Sequence, residues 1–242
     1  PGNWGGVVLL GNARYSSVAT GNTGVNFIEG ITQSANTQYG GGLTPNDADN
    51  SGTLKYVRIE FGGYVFSQDN EINGLTMGAV GNGTTIDYVQ TSFTNDDSFE
   101  WFGGAVSCKH LVAYRGVDDD FDTDNGFKGN VQFALGIKDP ALADTCTCSD
   151  SEGFESDNNA GSVTVTEAGW DNTSAIFSNC TLIGPSGRGA ASVLADHRRP
   201  ARLRRNTQLK LYNSIFMDFR VNHLFIDGTG AVANANANTL KF

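Results

Sequence analysis

The stretch "RGVDDDFDTDNGFKGN", residues 115–130, places Asp118, Asp119, Asp120, Asp122 and Asp124 within seven positions around one phenylalanine, Phe121. The phrase recurs. "NDDSFEWFGG" (95–104) is centred on Phe99 and "SDSEGFESDNN" (149–159) on Phe154, while a weaker copy, "QDNEINGLTMG" (68–78), has Ile72 in the matching place. The centres 72, 99, 121 and 154 are 27, 22 and 33 residues apart, the last interval carrying the insertion "KDPALADTCTCS". A phrase that returns at a loose period marks a stacked repeat.

Runs of strand length lie between and beyond these centres. They are "LKYVRIEF" (54–61), "TIDYVQTSF" (85–93), "KHLVAY" (109–114), "VQFALGI" (131–137), "AIFSNCTLIG" (175–184), "LKLYNSIF" (209–216) and "HLFIDG" (223–228). Each is rich in β-branched or aromatic residues, is bounded by Gly, Asn or Asp, and lacks a helical period. Coils of about 22 residues or more, each with two or three short strands, predict an all-β fold: a right-handed, single-stranded parallel β-helix. Its hand follows from the usual hand of parallel crossovers. An antiparallel sandwich offers no reason for the phrase to recur.

Alternation along a strand assigns the faces. Ile72, Phe99, Phe121 and Phe154 are expected inside, and Asn73, Glu100, Asp122 and Glu155 outside, with Asn70, Asp97, Asp119 and Glu152 on the preceding turn. Asp120 and Asp124 are expected to point out with Asp122. The solenoid is expected over residues 1–228. The low-complexity tail "GAVANANANTLKF" reads as a C-terminal edge strand or linker within 229–242.

Composition agrees with this reading. The chain has 242 residues, 39% hydrophobic, enough to bury a core, and its 31 glycines with only 17% charged residues favour turns over long surface helices. A net charge of −10 argues against nucleic acid as a partner. The basic run "HRRPARLRR" (197–205) reads as a solvated loop or as partners for nearby acids. No apolar run reaches the length of a membrane span. Cys108, Cys146, Cys148 and Cys180 lack zinc-ligand spacing; they suit an exported protein with one or two disulfides, for which three pairings are open, or buried reduced thiols.

The phrases "GNWGGVVLLGNA", "DADNSGTLKYVRIEFGG", "EINGLTMGAVGNGTTIDYVQ", "DDSFEWFGGAVSCKHLVAY" and "LRRNTQLKLYNSIFMDF", with "IEGI" and "YGGG", extend the pattern from residue 2 to about 228. In them the chain resembles a family of secreted or cell-surface β-helix proteins of Bacteroidota and related bacteria, exported by the type IX system or lipid-anchored. The resemblance implies the fold and an extracellular or outer-surface location in a bacterium. It implies no catalytic residues. In that family the "GNWGG" phrase follows earlier rungs, so the first rungs are expected to be missing here.

Like charges stacked at about 4.8 Å repel by roughly 1 kcal/mol per pair in water, and by more where solvent is poor. The acidic columns therefore need compensation. One reading is a calcium ion held by Asp119, Asp122, Asp124, Glu155 and Asp157, since Ca²⁺ takes 6 to 8 oxygens from such groups. The spacing is neither that of an EF-hand nor that of a nonapeptide repeat. A plainer reading is a hydrated turn ladder in which Asp and Asn cap backbone.

A third reading is enzymatic. β-Helices host pectate lyases and polygalacturonases, whose chemistry uses calcium with a basic residue, or paired carboxylates. The polygalacturonase phrases G-H-G and R-I-K are absent, and His110, His197 and His223 stand apart. Arg115 and Lys128 flank the Asp cluster as salt partners or bases. Trp4, Trp101 and Trp170 read as core or rung-edge residues, or as a sugar-stacking platform. The expectation is thus an exported structural or adhesive β-helix without catalysis. The alternatives are a polysaccharide-binding or lyase-like protein, or a subunit of a self-assembling structure. Its partners would be extracellular glycan, other surface proteins at the insertions 141–150 and 185–203, or further copies at the solenoid ends.

Overall fold

The computed structural model describes residues 1–17, 23–67, 70–144, 150–158, 172–189, 192–221 and 224–242. Two parallel sheets run side by side along one axis. The first stacks Val7–Leu10, Leu75–Gly78, Phe99–Phe102, Phe121–Asp124, Phe154–Ser156, Ala201–Leu203 and Phe225–Ile226. The second begins with Thr53–Glu60, Thr85–Ser92 and Cys108–Tyr114. From there each coil supplies two shorter strands: Asn130–Gln132 with Leu135–Ile137, Ile176–Ser178 with Thr181–Ile183, and Lys210–Tyr212 with Ile215–Met217. The chain alternates between the sheets and every neighbour is parallel, which is a parallel β-helix.

The break in the second sheet has a local cause. Tyr56, Tyr88, His110, Phe133, Asn179 and Asn213 follow one another along the stack, and all adopt positive φ between 46° and 62°. The left-handed conformation costs roughly 1–2 kcal/mol for a residue with a Cβ. Stacking offsets it: Tyr56 lies 5.0 Å from Tyr88, Tyr88 lies 4.1 Å from His110, and His110 lies 5.2 Å from Phe133. Asn213 continues the ladder by donating to Asn179 Oδ1. His110 is therefore a half-buried ring in a surface stack, its Nδ1 2.8 Å from Asp87 Oδ1.

Phe99, Phe121 and Phe154 stack in register inside, fully buried, with centroids 5.6 and 5.3 Å apart. The preceding rung differs from expectation: Leu75, not Ile72, pairs with Phe99, so Thr76 takes the outward place expected for Asn73. The hairpin of Val65–Ser67 with Asn70–Glu71 occupies the segment where the weak copy was aligned. Trp101 is buried against Phe127, Trp4 is exposed and donates Nε1 to the Glu60 carbonyl at 2.8 Å, and Trp170 lies outside the described residues.

At the carboxyl end, residues Gly228–Asn236 form an α-helix where an edge strand or linker was expected. Alanine alternating with asparagine lets the best helix former dominate. Ala231 and Leu240 are buried, and Lys241 bridges Lys210, so this segment covers the last rung. Cys108 and Cys180 are buried free thiols, which excludes a framework of two disulfides; Cys146 and Cys148 lie outside the described residues. No helix among the described residues is long and apolar enough to cross a membrane.

Candidate functional site

The outward column of the first sheet runs Thr76, Glu100, Asp122, Glu155 and Arg202, each in register with the next. It lines a cleft rather than a flat face. The loop carrying Glu29 and the hairpin carrying Glu71 rise beside it, enclosing a cleft of about 240 Å³. Eleven carboxylates among the described residues line the cleft: Glu29, Glu71, Asp96, Asp97, Glu100, Asp118, Asp119, Asp122, Asp124, Glu155 and Asp157. Phe102, Arg204 and Arg205 complete the wall.

The basic run compensates one end of this cleft. Arg204 pairs with Glu155 and, at 2.8 Å, with Asp157, while Arg205 reaches Asp157 at 2.7 Å and Arg202 reaches Glu155 at 3.7 Å. Burial works against the charge of Arg204, yet Glu155 and Asp157 hold its pKa above the usual value. Arg199 pairs with the wholly buried Glu152 at 2.7 Å and with Asp150 at 3.0 Å. The arginines of "HRRPARLRR" are thus partners chiefly for acids one coil earlier, while Arg202 also reaches Asp227 at 2.9 Å.

The turn before the column is a ladder. The Asp119 backbone N–H donates to Asp97 Oδ1 at 2.9 Å, and the Glu152 N–H donates to Asp119 Oδ1. Each carboxylate caps the next rung, so the plainer reading of Asp119 describes its geometry. Asp124 likewise accepts from the Asn125 N–H at 2.6 Å.

Among the described residues that line the cleft, the only cations are Arg204 and Arg205, at that one end. Ligand atoms of Asp97, Glu100 and Asp122 lie within 4.8 Å of one another, as do those of Asp96, Asp97 and Asp118. Asp118 Oδ1 and Asp122 Oδ1 are shielded from solvent and accept no hydrogen bond. Asn73 donates to Glu100. Burial, and then like charge, push these groups well above the ordinary carboxylate range: Glu100 beside Asp122, Asp97 beside Asp96, and Asp122 beside Glu155. Burial raises Asp124 to about 7, with Asp157 adding to the rise, and raises Asp119 to about 6 against the pull of Lys138.

Such a donor set fits a hard cation. Oxygens on opposite sides of Ca²⁺ stand about 5 Å apart, and carboxylates are its preferred ligands. All five residues expected from sequence, Asp119, Asp122, Asp124, Glu155 and Asp157, line the cleft, but only Asp122 joins a close trio. The trios shift one rung toward the amino end, to Asp96, Asp97, Glu100 and Asp118. Glu29 carries no repeat signal, and Glu71, though inside the weak copy, arrives on the hairpin rather than on a rung. Outside the cleft, Arg115 pairs with Asp139 and Lys128 with Asp47 at 2.9 Å, so both candidate bases are salt partners. His197 is buried and His223 lies outside the described residues.

Comparison with known proteins agrees with this architecture. Neither a curated protein nor a solved structure matches the chain. A family model described as a pectate-lyase-like β-helix domain matches residues 1–242. The chain therefore belongs to the pectate-lyase-like β-helix domain family.

Proposed function

We propose that the chain is an exported, surface-displayed β-helix that binds acidic polysaccharide through a divalent cation held in its cleft, without cleaving it. The observation that carries this reading is the convergence of eleven carboxylates on one cleft, with the Asp97, Glu100 and Asp122 donor atoms within 4.8 Å of one another. A bare cleft of this charge repels a polyuronate; calcium bound there would supply the positive charge that a sugar carboxylate meets. Asp97, Glu100 and Asp122 would hold it, with Asp96 and Asp118 adjoining.

Binding is favoured over cleavage by the state of the cations. Arg204 and Arg205, the cleft's arginines, are both engaged by Glu155 or Asp157, which leaves them poor proton acceptors. The likeness to secreted Bacteroidota proteins supports display at an outer surface, where such a module serves adhesion. Calorimetric titration of oligogalacturonate onto EDTA-stripped protein tests the reading, with and without Ca²⁺. Calcium-dependent binding without unsaturated products is expected. Unsaturated products would replace binding by lyase chemistry, and absence of both binding and products would leave a plain structural scaffold.

A further inference from the structure

Lys138 and Asp120 form an ion pair entirely inside the solenoid, each side chain 0% exposed. The expectation that Asp120 points outward fails because it precedes the strand Phe121–Asp124 and belongs to the turn, where alternation does not hold. The Lys138 Nζ stands 3.3 Å from Asp120 Oδ1, yet neither Asp120 oxygen accepts a well-directed hydrogen bond. Nζ donates instead to the Asp118 carbonyl. The Asp120 carboxyl is held against the strand Leu135–Ile137. A Cβ at Gly136 would lie 2.3 Å from Asp120 Oδ2, 3.0 Å from its Cγ and 2.7 Å from Leu182 Cδ2. Glycine is what lets the carboxyl sit there, among apolar neighbours.

An ion pair taken wholly out of water repays its desolvation only when the geometry is good and the remaining lone pairs are satisfied. Here they are not, and the amine and carboxyl are held in near contact for the life of the fold, the arrangement that replaces a bimolecular encounter by an intramolecular one. We propose that Lys138 and Asp120 condense to an intramolecular isopeptide bond. The Lys138 nitrogen bonds to Asp120 Cγ and one Cγ–O bond breaks. That oxygen departs as water with two of the three ammonium hydrogens, the third remaining on the amide. No oxidant, reductant or other reactant enters. Two buried charges become one neutral amide, which removes the cost of keeping ions in the core.

His197 is a further buried ionisable side chain that feels the Lys138 charge. It is 0% exposed and lies against the backbone of Asp139 and Leu142. Burial, and then the nearby Lys138 charge, lower its pKa to about 4, so the ring is uncharged and adds no second cation beside Lys138. The bond would tie the turn before Phe121 to the residue after the strand Leu135–Ile137, closing one coil covalently. Solenoid coils contact only their neighbours and open one at a time. A coil closed in this way suits a protein displayed under mechanical load.

Intact mass spectrometry of the reduced, denatured wild-type protein tests this directly. The expected mass is one water, about 18 Da, below that of the sequence. A tryptic digest should contain a branched species joining the Asp120 and Lys138 peptides. The K138M variant should show the full mass, and D120N should lose ammonia, about 17 Da, in forming the same bond. A wild-type protein of full mass, or a water loss mapped to other residues, would overturn the proposal. Both readouts use the wild-type chain, so a variant that fails to fold does not blur them.

Discussion

Arg202 follows Glu155 in register on the outward column of the first sheet, its Nη1 3.7 Å from Glu155 Oε1. The acidic column Glu100, Asp122 and Glu155 thus ends on a cation, and compensation comes from one side only. Arginines from the following coil neutralise Glu155 and Asp157, while Asp97, Glu100 and Asp122, further along, have one another.

Replacing Arg204 by Met leaves Glu155 and Asp157 with weaker compensation. Removing one partner of a buried pair costs about 3–5 kcal/mol, and the partial exposure of Arg204 places the effect at the low end, about 3 kcal/mol. Urea unfolding at pH 7.5 measures it. Millimolar Ca²⁺ should restore part of the loss, and an unchanged midpoint would mean that this arginine is not what compensates the acids.

Asp122→Asn should act in opposite directions with and without cation. In EDTA at pH 7.5 it relieves repulsion from Glu155 and Glu100, so the melting temperature rises by about 2 °C or more. Calcium affinity measured by calorimetry falls at least about tenfold, because one ligand of the trio is lost. A variant that keeps wild-type affinity would place the cation elsewhere.

The metal-free protein should lose stability as pH rises. Asp124 titrates at 3.8 in the unfolded chain and is raised to about 7 in the fold, so between those values the folded state keeps a proton that the unfolded chain has released. That contribution is complete below pH 3.8 and is lost progressively up to about pH 7. His197, lowered to about 4 from 6.5, works in the opposite sense over the same range, gaining stability as pH rises. The carboxylates outnumber it. Calorimetric melts in EDTA at pH 5 and pH 7.5 should show the higher temperature at pH 5, with saturating Ca²⁺ narrowing the gap. The reverse order without metal would contradict the assignment of raised carboxylates.

Phe121→Ala should cost about 3–5 kcal/mol, since it opens a cavity between Phe99 and Phe154 in a stack with no exposed face. Guanidinium unfolding provides the measurement. A cost below about 1 kcal/mol would be incompatible with a close-packed inner column.

The acids were legible in part. Phe99, Phe121 and Phe154 announce their column because burial on a stacked rung demands the same residue at the same place, and Glu100, Asp122 and Glu155 follow by alternation. Ile72 was misplaced because a hairpin displaces its rung, leaving Leu75 in register with Phe99. Asp120 reads like its neighbours in sequence but turns inward to Lys138, a choice made by the space over Gly136.

The sequence by itself determined the parallel β-helix, the identity of the phenylalanine column and the presence of an outer acidic row, because each is set by residues recurring at rung spacing. Only the tertiary structure decided which acids are answered by arginine, which cap the next turn and which are left facing one another. Those outcomes depend on contacts across whole coils, such as Glu155 with Arg204, and on Glu29 and Glu71 arriving on a loop and a hairpin rather than on rungs. These insertions walled the acidic row into a cleft, where less water screens the charges than on an open face.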